Sequence, residues 1–408
     1  ATPVADDEEA WRALIAPQAP PDLIEDLRDL RKRIIETIPD DGLDRSRTDP
    51  DRVTALRKEL KRRDLDSFII PKADEHQGEF VSRRSERLQW LTGFSGSAGS
   101  AIVMRRKVAA VFIDGRYTLQ VKKQVDGKLF EYVHTAERSQ IDWLRENLSS
   151  GMRLGFDPWL HTDAMRRRIK DVCKETGAAL VAVSDNPVDA IWKTQPVAPI
   201  SPMVPHPQKY AGESAAKKRA AIAKTLKDQN LDAAVLTAPD SIAWLLNIRG
   251  RDVPCTPLSL SFAVIHQSGG VELFTDPSKM APETEAHFGP EIIVLEWEAL
   301  AAELSHLGTR GCRVGVDLNM APAKIATALK DAGAEVVSLS DPTASQKSEK
   351  NTAEQKGTRA AHLRDGIALA KFLCWLDKEA GKGRLTEWDV GLKVDDLRAE
   401  LDLHRGPS

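Results

Sequence analysis

The stretch ALRKELKRRDLDSFII, residues 55–70, returns further along the chain as AIAKTLKDQNLDAAVL, residues 221–236. In the first, Val53, Leu56 and Leu60 recur at the spacing that puts them on one helix face, and residues 66–70 follow as a buried strand closed by Pro71. The unit is helix, then strand. Working outward, four more blocks return in the same order. ERLQWLTGFSG (86–96) is answered by DSIAWLLNIRG (240–250), and VAAVFIDGRY (108–117) by GGVELFTDPSK (269–279). RLGFDPW (153–159) is answered by RVGVDLN (313–319), and LVAVSDNP (180–187) by VVSLSDPT (336–343). The offsets stay close: 166 for Leu65 to Leu231, 154 for Trp90 to Trp244, 162 for Asp114 to Asp276 and 160 for Asp157 to Asp317. Five ordered blocks at a nearly constant offset predict two tandem copies of one α/β domain, a duplication rather than a short-repeat solenoid.

Between the copies runs a Pro-rich linker with Pro196, Pro199, Pro202, Pro205 and Pro207, which excludes helix over that span. Within the first copy, strands are expected over 101–104 and 109–114 and a helix over 138–148. After the second copy, a long helix is expected over about 350–379 with Gly381 near its stop, then a shorter helix opening at Thr386 and Glu387. Ahead of the repeats, residues 1–51 are rich in Pro and Asp, and Leu23, Leu27, Leu30 and Ile34 predict a helix over 22–37 that packs on the neighbouring domain.

Composition narrows the class. The 408 residues exceed one ordinary core, and 41% hydrophobic with 29% charged residues is that of a globular chain. Lys plus Arg (58) nearly balance Asp plus Glu (61), so the net charge of −3 gives no general attraction to nucleic acid or to an anionic membrane. No apolar run approaches the roughly 20 residues of a membrane span. The start, ATPVADDEEAW, lacks the basic and apolar regions of a signal peptide, and the expected location is cytoplasmic. Cys173, Cys255, Cys312 and Cys374 form no CxxC pair, so reduced thiols are expected rather than a zinc knuckle or a disulfide framework. The absent initiator Met and the abrupt end at Ser408 suggest trimmed ends.

Several stretches invite a chemical reading. TGFSGSAGSA spaces Gly93, Gly96 and Gly99 by three but lacks both the P-loop ending and the dinucleotide order, and a strand follows it; a tight turn between strands is expected. Glu75, His76 and Glu79 are ligand types in an extended loop with no helical HExxH, and read as loop polar groups satisfying buried backbone at a domain edge. His362 and Asp365 share a helix face beside Arg359 and Arg364, which fits ion pairing better than a metal. Asp395, Asp396 and Asp402 lack a matching His. There is no GxSxG elbow, and Cys255, in a Pro-bounded loop, reads as a partly buried inert thiol. No complete catalytic constellation appears.

ADEHQGEFVSRRSERLQWLTGFSGSAGSA, FIDGRYTLQVKKQVD, NPVDAIWKTQP, SIAWLLNIRGRD and KNTAEQKGTRAAHLRDG, in that order, resemble the landmarks of the long, three-domain form of the Xaa-Pro aminopeptidase (aminopeptidase P) family. The resemblance spans about residues 52–408. It implies an N-terminal extension over 1–51 with no assigned role, creatinase-type domain I over 52–190, a linker over 191–207, domain II over 208–343, and over 344–408 the first helices of an incomplete pita-bread α+β catalytic domain. It also implies a binuclear site for two divalent ions of the manganese type, made by two Asp, one His and two Glu, that serves hydrolytic release of an N-terminal residue preceding proline.

All five of those ligands are expected beyond residue 408, so no metal or catalytic residue is carried onto this chain, which is expected to be inactive alone. Expected partners are peptides with proline at the second position and a second copy in a homodimer. One substrate-binding residue does transfer: the Arg of the DGRY motif, here Arg116, whose planar guanidinium can hold a peptide carbonyl or carboxylate. By residue type alone, a surface Arg paired with Asp114 or Asp126 is the ordinary reading; the motif match favours the pocket. The second copy reads DPSK there and does not keep the Arg. The rival function is a non-catalytic protein-binding module, since creatinase-type domains also occur in chromatin factors, but the long acidic tracts of a histone-binding partner are absent.

Overall fold

The computed structural model describes residues 47–401 and 403–404. Of these, the part up to Asn351 forms one compact unit and the part from Thr352 onward another. The helix expected over 22–37 lies outside the described residues.

The larger unit opens with the helix Pro50–Arg62, started by Pro50 in the first turn and by Asp49, whose carboxylate accepts from the Asp51 N–H at 3.0 Å. Val53, Leu56 and Leu60 are its buried face. Six strands follow: β1 (Ser67–Pro71), β2 (Ser100–Met104), β3 (Ala109–Ile113), β4 (Phe130–His134), β5 (Arg153–Phe156) and β6 (Ala179–Ala182). They form a mixed sheet in the order β4-β3-β2-β1-β5-β6. A two-residue strand β7 (Val204–Pro205) comes next, then β8 (Ala233–Leu236), a second two-residue strand β9 (Ile248–Arg249), β10 (Phe262–His266), β11 (Val271–Phe274), β12 (Ile292–Leu295), β13 (Arg313–Val316) and β14 (Glu335–Ser338). The second large sheet runs β12-β11-β10-β8-β13-β14, the same order.

Register repeats with order. Ser100 faces Phe112 and Ile102 faces Ala110 in the first sheet; Phe262 faces Phe274 and Val264 faces Glu272 in the second. Both faces of the second sheet are covered. Ala233 and Val235 join one apolar cluster while Ala234 and Leu236 join another, as period-two alternation requires of a sheet between helix layers.

The two copies meet about a pseudo-two-fold. Thr162 and Pro322, equivalent positions of the repeat, form an antiparallel bridge. Around it the Ala164 N–H donates to the Leu318 carbonyl at 3.0 Å, and the Lys324 N–H donates to the Pro158 carbonyl at 2.9 Å. Each bond is the other with the copies exchanged, the mark of an isologous contact within one chain. Beside it, Trp159 and His76 of the first copy pack on Phe262 and Trp297 of the second, with ring centroids 4.6 to 6.2 Å apart.

The Pro-rich stretch carries no helix over 192–207, and its end is built into the second copy. Met203 is fully buried, and β7 pairs antiparallel with β9. In the other unit the long helix runs Thr352–Ala380 and the shorter one Glu387–Ala399, opened by a capping box in which Thr386 and Asp389 satisfy each other's backbone.

Candidate functional site

β3 ends at Ile113 and the chain turns at once. Asp114 caps a 3-10 turn, Gly115–Tyr117, by accepting from the Arg116 N–H at 2.9 Å. The same carboxylate takes the guanidinium: Arg116 Nη2 donates to Asp114 Oδ2 at 2.7 Å and Nε to Oδ1 at 3.1 Å. That hydrogen bond holds the Asp114 carboxyl below the ordinary carboxylate range and raises Arg116 above its ordinary value. The Arg116 side chain is 59% exposed and stacks over Tyr117 at 5.0 Å. Arg116 is therefore both paired with Asp114 and open to solvent, and a ligand anion or carbonyl could reach its outer donors without unseating the cap.

A small polar network adjoins the turn. The Tyr117 hydroxyl lies 2.9 Å from Ser97 Oγ, which donates to Glu79 Oε1 at 2.8 Å, and Tyr117 also accepts the Ser97 N–H at 3.1 Å. The Gly/Ser loop thus shapes the surface next to Arg116. It joins the helix Arg87–Thr92 to β2, not strand to strand as expected, and Gly93 (φ 80°) supplies the left-handed residue that ends the helix. Asp114 also lines a cavity of about 310 Å³, with Gly99, Ser100, Thr135, Gln140 and Arg168.

The other sequence candidates separate. Glu75 lies 3.5 Å from Arg87, His76 Nδ1 lies 3.0 Å from the Thr237 carbonyl of the second copy, and Glu79 accepts from Ser97, so the three do not converge. Asp365 is ion-paired, but with Arg398 at 2.6 Å rather than with Arg359 or Arg364. His362 Nδ1 sits 2.9 Å from the Thr358 carbonyl. Asp395 lies 3.9 Å from Arg398, and Asp402 lies outside the described residues. Cys255 is exposed, not partly buried, and its backbone takes φ 60° in a turn.

Sequence reading missed the roles of two motifs. The Arg87 guanidinium, 5% exposed, makes a bidentate pair with Asp189 of NPVDAIW at 2.7 and 2.9 Å. Burial works against its charge, yet Asp189 and Glu75 keep its pKa raised. Trp90 and Trp192 stack at 5.1 Å beside it. These motif residues fix the entrance to the linker. Among the described residues, one group of three or more metal-ligand types comes together, His266, Glu272 and Glu303. Three single-atom ligands do not make a binuclear site, so no step of metal chemistry is assigned to the DGRY surface.

The comparisons agree with this architecture. The creatinase/prolidase N-terminal domain family matches residues 52–191, and a second family of the same description matches 194–354. Probable Xaa-Pro aminopeptidase P of Penicillium rubens is 34% identical over 369 residues, 88% of this chain and 60% of that protein. The Aspergillus niger relative of the same name is 34% identical over 371 residues, again 88% and 60%. X-prolyl aminopeptidase of Caenorhabditis elegans, described as a cytosolic enzyme with a di-nuclear active site, superposes with a TM-score of 0.82 at 28% identity, covering 87% of this chain and 60% of that one. The fold and repeats define a tandem creatinase-type module. The chain belongs to the creatinase/prolidase N-terminal domain family, one domain in each copy, and is similar over 88% of its length to Xaa-Pro aminopeptidases. It spans about 60% of the length of the relatives it matches.

Proposed function

We propose that this chain is the N-terminal, substrate-guiding part of a metal-dependent Xaa-Pro aminopeptidase that releases the residue before a penultimate proline. The observation that carries the reading is the superposition of both copies, in tandem, on the C. elegans enzyme. In this reading the binuclear metal site, with manganese as the metal, lies outside the residues given; bound there, the ions supply an activated water. The substrates are proline-containing peptides, the location is cytoplasmic, and the complete protein is a homodimer. The domain limits are 52–190, 191–207 and 208–343, with 344–408 opening the catalytic domain.

Arg116 is the contribution of this chain to the substrate pocket. It offers charge-assisted hydrogen bonds to a peptide oxygen from a turn whose cap holds the backbone still. Asp114 neutralises part of its charge, which favours recognition of a neutral carbonyl as well as a carboxylate.

The test is hydrolysis of an Arg-Pro-Pro peptide with Mn²⁺. The full-length protein is expected to release arginine and the 408-residue chain to release none. A full-length protein that folds, binds two Mn²⁺ and leaves the peptide intact would favour the non-catalytic binding module instead. Proline-specific release by the 408-residue chain would refute the placement of the metal site.

A further inference from the structure

We infer that the second copy carries a binding site for one divalent transition ion of the zinc class, formed by His266, Glu272 and Glu303. One ligand atom from each lies within 4.8 Å of the other two. A first-row ion bonds imidazole nitrogen and carboxylate oxygen at about 2.0–2.2 Å, which spaces ligand atoms roughly 3–4 Å apart. Small side-chain rotations therefore close the set. The mixed nitrogen and oxygen donors suit zinc better than calcium or magnesium, which take oxygen alone.

The local fold explains the meeting. His266 ends β10, Glu272 sits near the start of β11, and Gly269 (φ 92°) turns the hairpin between them. Glu272 faces Val264 across the ladder, and His266 is two residues from Val264, so all three share one face. The helix Ala299–Thr309 covers that face through Leu300, Leu304 and Leu307 and brings Glu303 over it.

Two independent observations point to a cation. Glu272 Oε2 is shut off from solvent and has no hydrogen-bond partner. An unsatisfied, shielded carboxylate oxygen is costly, and a metal bond would satisfy it. The nearest described positive partner is the His266 ring, at 3.8 Å from the other oxygen, and it is charged only when protonated. The second observation is the repeat. At the corresponding offsets the first copy has Met104, Ala110 and Trp143, which belong to one apolar cluster. The second copy has put three ligand types where the first has core. His306 Nδ1, 3.3 Å from Glu303 Oε2, is placed to orient that carboxylate from outside.

The experiment is Zn²⁺ binding to the untagged 408-residue chain by equilibrium dialysis with elemental analysis, alongside melting in Zn²⁺ and in Ca²⁺. One equivalent of Zn²⁺ is expected at micromolar free metal. At 100 times Kd the Tm of the larger unit should rise by about 4 °C, with Ca²⁺ giving no comparable rise. Glu272→Gln, Glu303→Gln and His266→Asn should each weaken binding at least tenfold, while His362→Gln leaves it unchanged. Should Glu272→Gln fail to fold, Glu303→Gln, at a partly exposed helix position, decides the matter. No binding at 100 µM Zn²⁺, or equal binding by folded Glu303→Gln, overturns the inference.

Discussion

Lowering the pH should unlock the contact between the two copies through His161. The side chain is 4% exposed at the pseudo-two-fold, its Nδ1 lies 2.9 Å from the Asp157 carbonyl, and its Nε2 has no partner. Burial pushes its pKa down from 6.5 to about 4, with the Asp157 carbonyl opposing. The unfolded chain thus takes up a proton near pH 6.5 that the folded chain refuses until about pH 4, so stability falls as pH drops through that window. With those two values the loss between pH 7 and pH 5 is about 2 kcal/mol, or about 3 °C in the Tm of a unit of this size. His206 shifts in the same direction, by burial and by the neighbouring Arg249 and Lys218, so the clean measurement is a difference between proteins. His161→Gln keeps an N–H for the Asp157 carbonyl but does not titrate. Melting both proteins at pH 7, 6 and 5 should show the parent losing about 3 °C more than the variant. Equal slopes would refute the argument, whatever the variant's absolute stability.

Further expectations rest on other parts of the molecule. In the full-length enzyme, Arg116→Ala should cost roughly 10- to 150-fold in kcat/KM, about 1.5–3 kcal/mol, with Tm unchanged, and Arg116→Lys should recover only part; unchanged kinetics would return Arg116 to a surface ion pair. Arg87→Ala strands the buried Asp189 carboxylate and should destabilise by about 3–5 kcal/mol, whereas Arg87→Met with Asp189→Leu should recover much of it; a chemical denaturation series separates the two. Gly308→Ala would set its Cβ 2.3 Å from that of Ala332 and should lower stability by about 1–3 kcal/mol. Gly357→Ala, on the long helix with open space around it, should stabilise by up to about 1 kcal/mol, checked by the melting of each unit.

The duplication was legible because it is written in local signals. Strand alternation, helix faces and turn residues recur block by block, and the structure gives both copies the same strand order and hairpin register. What was not legible depends on tertiary approach. Arg87 and Asp189 are 102 residues apart and neither has a pattern that names the other. The pseudo-two-fold uses Trp159, His161 and Thr162, whose irregular loop gives no periodic signal. Cys255, exposed and at φ 60°, sits in a backbone conformation that nothing in its Pro-bounded sequence announces. His266 and Glu272, flanking Gly269 and Gly270, were a visible clue to a hairpin. Glu303 could not be joined to them until the helix Ala299–Thr309 was seen lying on β10 and β11.

The turn after the third strand shows how the copies have parted. Asp114 and Asp276 cap it alike, each accepting an N–H two residues on, at 2.9 and 2.8 Å. Where the first copy places Arg116, the second has Ser278, and the cation has moved one position on to Lys279. That lysine is buried, donating to Asp252 at 2.7 Å and to the Leu260 carbonyl at 3.0 Å. A buried ammonium held by a carboxylate and a carbonyl has at most one donor left and no route to a visiting peptide, whereas an exposed guanidinium resting on its own cap has several donors in solvent. The same turn thus serves internal cohesion in one copy and leaves a recognition group outside in the other. This asymmetry supports assigning substrate contact to the first copy, and it gives the Arg116 variants a matched control. Lys279→Met should damage folding and leave the kinetics of whatever folds intact, the reverse of what Arg116→Ala should do.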